Sequence, residues 1–159
     1  MNIATRLAQQ SDLQRVAELF DLYRQFYEQP ADLARARQFM SARLAKRDSV
    51  ILMAESASNG LIGFCQMYPS FCSLEAQPIY ILSDLFVLPT ARKLGVGRTL
   101  LQAAERKAAN DGMIRMDLTT ARTNTPAQSL YESLGWVRDE VFFAYSRRVD
   151  SPRKSHFES

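Results

Sequence analysis

The chain has 159 residues, 47% of them hydrophobic and 23% charged, with a formal net charge of +3. That length suits one domain with a sizeable core, and that composition suits a globular chain rather than a disordered one. The charge is too mild to argue for a nucleic-acid partner. No apolar run reaches a membrane span, and the start MNIATRLAQQSD lacks a signal peptide's apolar core, so a cytoplasmic protein without membrane contact is expected.

In chain order, NIATRLAQ alternates weakly and predicts a first strand. Ser11 and Asp12 are good helix caps, and Val16, Leu19, Phe20, Tyr23, Phe26 and Tyr27 follow at helical spacing. Pro30 suits the entry to a second helix, DLARARQFMSARLAKR. SVILMAES and LIGFCQMYP, joined by the turn SNG, predict a hairpin, and a loop over residues 70–77 leads to the β-prone run PIYILSDLFVL. Cys65 and Cys72 form no Cys-x-x-Cys and are expected as free thiols in a reducing compartment.

Leu100, Leu101, Ala104, Ala108 and Ala109 mark a third helix that stops at Asp111-Gly112. MIRMDLTT predicts a strand, and TPAQSLYESLG a short helix with Pro126 near its start and Gly135 past its end. WVRDEVFFAYSRRV predicts two short strands or one bent one, before a polar, mobile tail from Asp150. The single histidine, His156, lies in that tail. A Ser-His-Asp triad, a Cys-His pair or a multi-histidine zinc site would have to rely on it, and no metal is expected. The order is mixed α/β in one domain, residues 1–149, with the tail at 150–159.

Gly95 and Gly97 stand where the third helix is about to begin, with Arg92, Lys93 and Arg98 around them. The first N–H groups of a helix lack intrahelical partners and carry the positive end of its dipole, so glycine there lets backbone close around a phosphate. Three phosphate motifs compete. The string G-x-x-x-x-G-K-[ST] is absent, and Leu100 stands where a G-x-G-x-x-G fingerprint needs a small residue. The third is R-x-x-G-x-G, met as Arg92-Lys93-Leu94-Gly95-Val96-Gly97. Loop punctuation for the glycines and a solvated surface for the cations are the plain alternatives.

Here the sequence resembles the GNAT superfamily of acetyl-coenzyme A-dependent N-acetyltransferases. In that family an [RQ]-x-x-G-x-[GA] loop wraps the cofactor's pyrophosphate. The run DLFVLP resembles the family's central strand. Asn124-Thr125-Pro126-Ala127, Leu130-Tyr131-Glu132 and Leu134-Gly135-Trp136 resemble its N-x-x-A-x-x-L-Y-x-x-x-G-[FW] element. The resemblance spans residues 79–145 by motif and residues 3–68 by element order. It implies an α+β fold with a central mixed, twisted sheet of about seven strands and about four helices.

It also implies site residues. The backbone of Leu85, Phe86 and Val87 would line the pantetheine arm, and Lys93, Leu94, Gly95, Val96, Gly97 and Arg98 would hold the pyrophosphate with Arg92 adjacent. Asn124 would contact the cofactor arm and Tyr131 would be the general acid, although a plain core aromatic is the other reading of Tyr131. YILSDLFV is similar to the polyamine acetyltransferases' L-E-D-F-F-V, with Ser83 in place of the first acid. Asp84 is then a direct base, a base through water, an orienter of the acceptor's ammonium, or a partner for backbone donors at a bulge. Tyr23, Phe26 and Tyr27, among Asp21, Glu28 and Asp32, could face an ammonium or simply pack the core. The expected activity is acetyl transfer from acetyl-CoA to an amine of a small molecule or a peptide lysine, by a possible homodimer. A non-catalytic acyl-CoA-binding domain of the same fold is the alternative.

Overall fold

The computed structural model describes residues 2–150. Its strands are β1 (Ile3–Leu7), β2 (Val50–Ser56), β3 (Gly60–Cys72), β4 (Gln77–Val87) and β5 (Met116–Asp117). Its helices are α1 (Leu13–Phe26), α2 (Leu33–Lys46), α3 (Val96–Asn110) and α4 (Thr125–Ser133). The strands form one sheet in the order β1-β2-β3-β4-β5, antiparallel except for the parallel pair β4–β5. Only that pair needs a long crossover, and α3 supplies it. The mixed α+β architecture and four helices agree with expectation, whereas the described residues hold five strands rather than about seven.

Local sequence accounts for most element ends. The Asp32 side chain accepts from the Arg35 N–H and caps α2, so the helix starts within one residue of the expected DLARARQFMSARLAKR. Asp12 precedes α1 but makes no side-chain cap. Its carboxylate instead takes the Gln9 N–H at 2.7 Å and the Arg6 guanidinium at 2.8 Å. Gly60 (φ +65°) closes the β2–β3 hairpin, and Gly112 (φ +77°) follows the end of α3. The expected loop over residues 70–77 shrinks to a turn, because β3 continues to Cys72 in register with β4 from Gln77.

Helices cover both faces of the sheet. Phe64 of β3 packs with Val16, Leu19 and Phe20 of α1, Ala36 and Met40 of α2, and Phe86 of β4. Its neighbour Gly63 instead lies under Val96 and Leu100 of α3. Successive strand residues point to opposite faces, so α3 sits opposite α1 and α2. Coverage on both sides explains why β3 is buried without interruption from Leu61 to Met67.

The chain divides into two compact units, the first ending at Thr123 and the second beginning at Asn124. In the second unit the Asn124 side chain accepts from the Ala127 N–H and caps α4. The strands expected in residues 136–149 do not form. Among the described residues no strand pairs with them, and Asp139 Oδ1 instead accepts from the Val141 and Phe142 N–H groups in a local turn. The predicted strand MIRMDLTT is likewise reduced to Met116–Asp117, the stretch that pairs with Tyr80 and Ile81. Residues 151–159, which carry His156 and most of the expected mobile tail, lie outside the described residues.

Candidate active site

The first unit's site grows from one irregularity in β4. Gln66 pairs with Asp84, but the next residue of β3, Met67, pairs with Leu82. Ser83 is therefore an extra residue in β4, a bulge that breaks the ladder and bends the strand. The hydroxyl of Tyr23, on α1, donates to the Ser83 carbonyl at 3.0 Å. Beyond the bulge, Leu85, Phe86 and Val87 pair with Cys65, Phe64 and Gly63. β5 has already ended at the level of Ile81, so along its other edge this stretch has no strand among the described residues. A one-sided strand offers backbone N–H and C=O groups to an extended ligand.

Asp84 is buried, 7% exposed, and its Oδ2 accepts from Gln66 Nε2 at 2.6 Å. Burial raises its carboxyl above the usual range, while the hydrogen bonds from Gln66 and Tyr23 pull it back down. Burial and the Asp84 charge push the Tyr68 hydroxyl up to about 12. The same two influences raise the Tyr23 hydroxyl and the Cys65 thiol, so both stay protonated at neutral pH. A carboxyl poised above its usual range, among groups that remain neutral, can accept a proton from a substrate.

The glycine-bearing loop leads from β4 to α3. Lys93 (φ +64°) and Gly95 (φ +83°) both take the left-handed region, and Gly95 is the residue before the helix. Gly95 therefore meets a demand for backbone freedom rather than for space, since a Cβ there would touch nothing within 4 Å. The first intrahelical bond runs from Thr99 N–H to the Gly95 carbonyl at 3.0 Å, so the Val96 and Gly97 amides precede it. The first turn of α3 carries no acidic residue and no side-chain cap. These features fit the phosphates of coenzyme A. Leu94 is half exposed and Val96 is buried in the core.

Arg92 Nε donates to the Val87 carbonyl at 3.0 Å, and its guanidinium lies 5.4 Å from the Phe26 ring and 5.5 Å from the Phe86 ring. It thus ties the loop to α1 and to the end of β4. Around it, Tyr23 meets Tyr27 edge-on at 5.2 Å and Phe86 at 6.4 Å, while Phe26 and Tyr27 keep about half their surface exposed. Of the three aromatics weighed from the sequence, Tyr23 packs partly buried against the core, whereas Phe26 and Tyr27 face outward.

In the second unit, Tyr131 lies on α4 with its ring 6.1 Å from Trp136, whose N–H donates to the Tyr131 carbonyl at 3.0 Å. Sequence reasoning missed three residues of the first unit: Gln66, Ser49 and Gly63. A polar side chain inside LIGFCQMY, and a glycine in the same apolar strand, were the available signals.

Comparison with known proteins bears on the family and the fold. The profile of the acetyltransferase (GNAT) family matches residues 13–136. The chain is 47% identical over 150 residues to "Uncharacterized N-acetyltransferase YhfO" of Bacillus subtilis, covering 94% of this chain and 98% of the relative. It superposes on the crystal structure of a probable acetyltransferase with a TM-score of 0.85 and 36% identity, over 95% of this chain and 99% of that one. The fold is shared with AAC(6')-Iy in complex with the bisubstrate analog CoA-S-monomethyl-acetylneamine, at a TM-score of 0.77 and 23% identity, over 94% and 100% of the two chains.

Proposed function

The chain belongs to the acetyltransferase (GNAT) family and is an acyltransferase, and on that premise we propose that it moves the acetyl group of acetyl-CoA to a primary amine of a small molecule or a peptide lysine. One observation carries the reading: the one-sided end of β4 runs into a helix start whose capping residue is a left-handed Gly95 and whose first turn has no acid. The pyrophosphate would be held by Lys93, Leu94, Gly95, Val96, Gly97 and Arg98, with Arg92 bracing the loop. The backbone of Leu85, Phe86 and Val87 would line the pantetheine arm, and Asn124 would contact it. When bound, acetyl-CoA supplies an acyl group already activated as a thioester.

The chain's own residues do the proton work in this proposal. A lysine-like amine is almost wholly ammonium at pH 7 and must lose a proton before it can attack. Asp84, buried and raised, is the acceptor of that proton. An N–H of residues 85–87 is the donor to the acetyl oxygen as its charge develops. Tyr131 Oη, by its motif position, is the proton donor to the departing thiolate. The bisubstrate analog held by AAC(6')-Iy, which joins CoA to an acetylated neamine, supports an amine acceptor of this class. Residues 1–149 would form the catalytic domain, and a homodimer and a cytoplasmic site of action belong to the same proposal. Among the described residues no helix is long and apolar enough to cross a membrane.

Titration calorimetry tests the reading, with acetyl-CoA as ligand and NADH as control, followed by a panel of amines with detection of released thiol. Binding of acetyl-CoA alone, and thiol release with at least one amine, are expected. Absence of acetyl-CoA binding would overturn the proposal.

A further inference from the structure

The carboxyl of Asp84 is held by a second polar side chain that is itself wholly buried. Gln66 is 0% exposed, donates from Nε2 to Asp84 Oδ2 at 2.6 Å, and accepts at Oε1 from the Ser49 hydroxyl at 2.8 Å. The three residues come from different places: Ser49 just ahead of β2, Gln66 in β3 and Asp84 in β4. An amide has one donor end and one acceptor end. The Asp84 carboxylate only accepts, so it takes the N–H₂ end of the Gln66 amide, and the Ser49 hydroxyl supports that orientation by donating to the oxygen. The bulge at Ser83 is what brings Asp84 opposite Gln66, because unbroken register from Met67–Leu82 would pair Gln66 with Ser83.

We propose that Gln66, supported by Ser49, is the positioning residue of Asp84: it holds Oδ2 and so orients the carboxyl that takes the proton of the acceptor amine. This rests on the reading of Asp84 as the base. A buried carboxylate with no donor would not stay ionised, so Gln66 also determines the pH at which Asp84 becomes a competent acceptor. The other groups facing Asp84 are the Tyr23 hydroxyl from α1 and the Cys65 thiol and Tyr68 hydroxyl from β3, with Arg43 of α2 and Asp48 beside Tyr68. The Tyr23 hydroxyl is in hydrogen-bonding reach of both the Ser83 carbonyl and the Asp84 carboxyl, so it can follow the proton without moving its ring. It has a single hydrogen to give, whereas the Gln66 amide engages Asp84 and Ser49 at once.

The test uses Gln66→Met, which keeps length and apolar packing but has no donor, together with Ser49→Ala and Asp84→Asn. Two readouts are taken: the pH profile of kcat/KM, and direct titration of the Asp84 carboxyl by NMR of protein carrying 13C-labelled aspartate. In Gln66→Met both the acid limb and the carboxyl titration are expected to move up by about one pH unit or more, equivalent to a roughly tenfold loss of rate at a fixed pH on that limb. Ser49→Ala is expected to move both in the same direction by less, and KM for acetyl-CoA to stay unchanged in each. A carboxyl titration that does not move in Gln66→Met, with Asp84→Asn inactive, would overturn this inference and leave the base assignment standing. A fully active Asp84→Asn with a wild-type pH profile would overturn the base assignment and the inference with it.

Discussion

Gly63 stands where β3 passes closest to its neighbours, and it shows what a single missing Cβ can do. A Cβ there would lie 2.9 Å from the Phe86 carbonyl oxygen and 3.3 Å from side-chain atoms of Val96 and Leu100. The carbonyl belongs to the ladder that holds the one-sided end of β4, so it has little freedom to give way. Gly63→Ala is therefore expected to cost about 1–3 kcal/mol in urea unfolding, as overpacking does; an unchanged midpoint would mean that the sheet yields there. Gly97 lies in the first turn of α3, where the proposed function puts the pyrophosphate, so side-chain bulk there would meet the cofactor. Gly97→Val should weaken acetyl-CoA binding sharply in calorimetry at nearly unchanged stability, and wild-type affinity would assign the glycine to the fold instead. Tyr131→Phe should lower kcat by about 10²–10⁴-fold with acetyl-CoA affinity preserved, the range for loss of a general acid. An unaltered rate would remove Tyr131 from the mechanism. The motif residues were legible because each sits within a short string of fixed spacing. The Gln66–Asp84 pair was not, because its members are 18 residues apart and meet only through strand register and a bulge.

Among the elements, helices were more legible than strands, and the reason is physical. A helix satisfies its own hydrogen bonds, so caps and spacing in the local sequence suffice, as Asp32 and the apolar stripe of α3 illustrate. A strand needs a partner that the local sequence does not name. Residues 136–149 carry Val137, Val141, Phe142, Phe143 and Tyr145 and are β-prone by composition, yet form no strand among the described residues. β5 fails in part for the same reason, ending where its pairing with β4 ends. Helix ends also leave room for improvement. α2 closes on Arg47 in the left-handed region (φ +52°), a conformation that costs a side-chain-bearing residue, while its N–H donates to the Arg43 carbonyl. Arg47→Gly keeps that bond and relieves the backbone, so it should raise stability by about 0.5–1 kcal/mol in urea unfolding. A loss of stability would show that the Arg47 side chain contributes more than its backbone costs.

At the scale of the whole molecule, the proposed base would set activity and stability against one another. Unfolded, Asp84 would ionise near pH 3.9; folded, burial keeps its proton to higher pH. Between those two values the folded chain binds more protons than the unfolded one, so stability falls as pH rises through the window. In the proposed mechanism activity runs the other way, because only the ionised carboxylate can take a proton from an amine. Asp12 contributes with the opposite sign. Its hydrogen bonds to Arg6 hold its carboxyl below the usual range, so its stabilisation is present above that range and is lost as pH falls through the folded value. Urea unfolding of wild type, Asp84→Asn and Asp12→Asn from pH 3 to pH 8 separates the two. The stability of Asp84→Asn relative to wild type should climb with pH and level off once the folded carboxyl has ionised. That of Asp12→Asn should start near wild type in acid and fall behind as pH rises. A flat Asp84→Asn difference would mean that the carboxyl titrates alike in both states, and a site needing an unusual base would then have to find it elsewhere. A rising difference, with its plateau at the acid limb of the rate profile, would tie the loss of stability and the gain of activity to ionisation of one group.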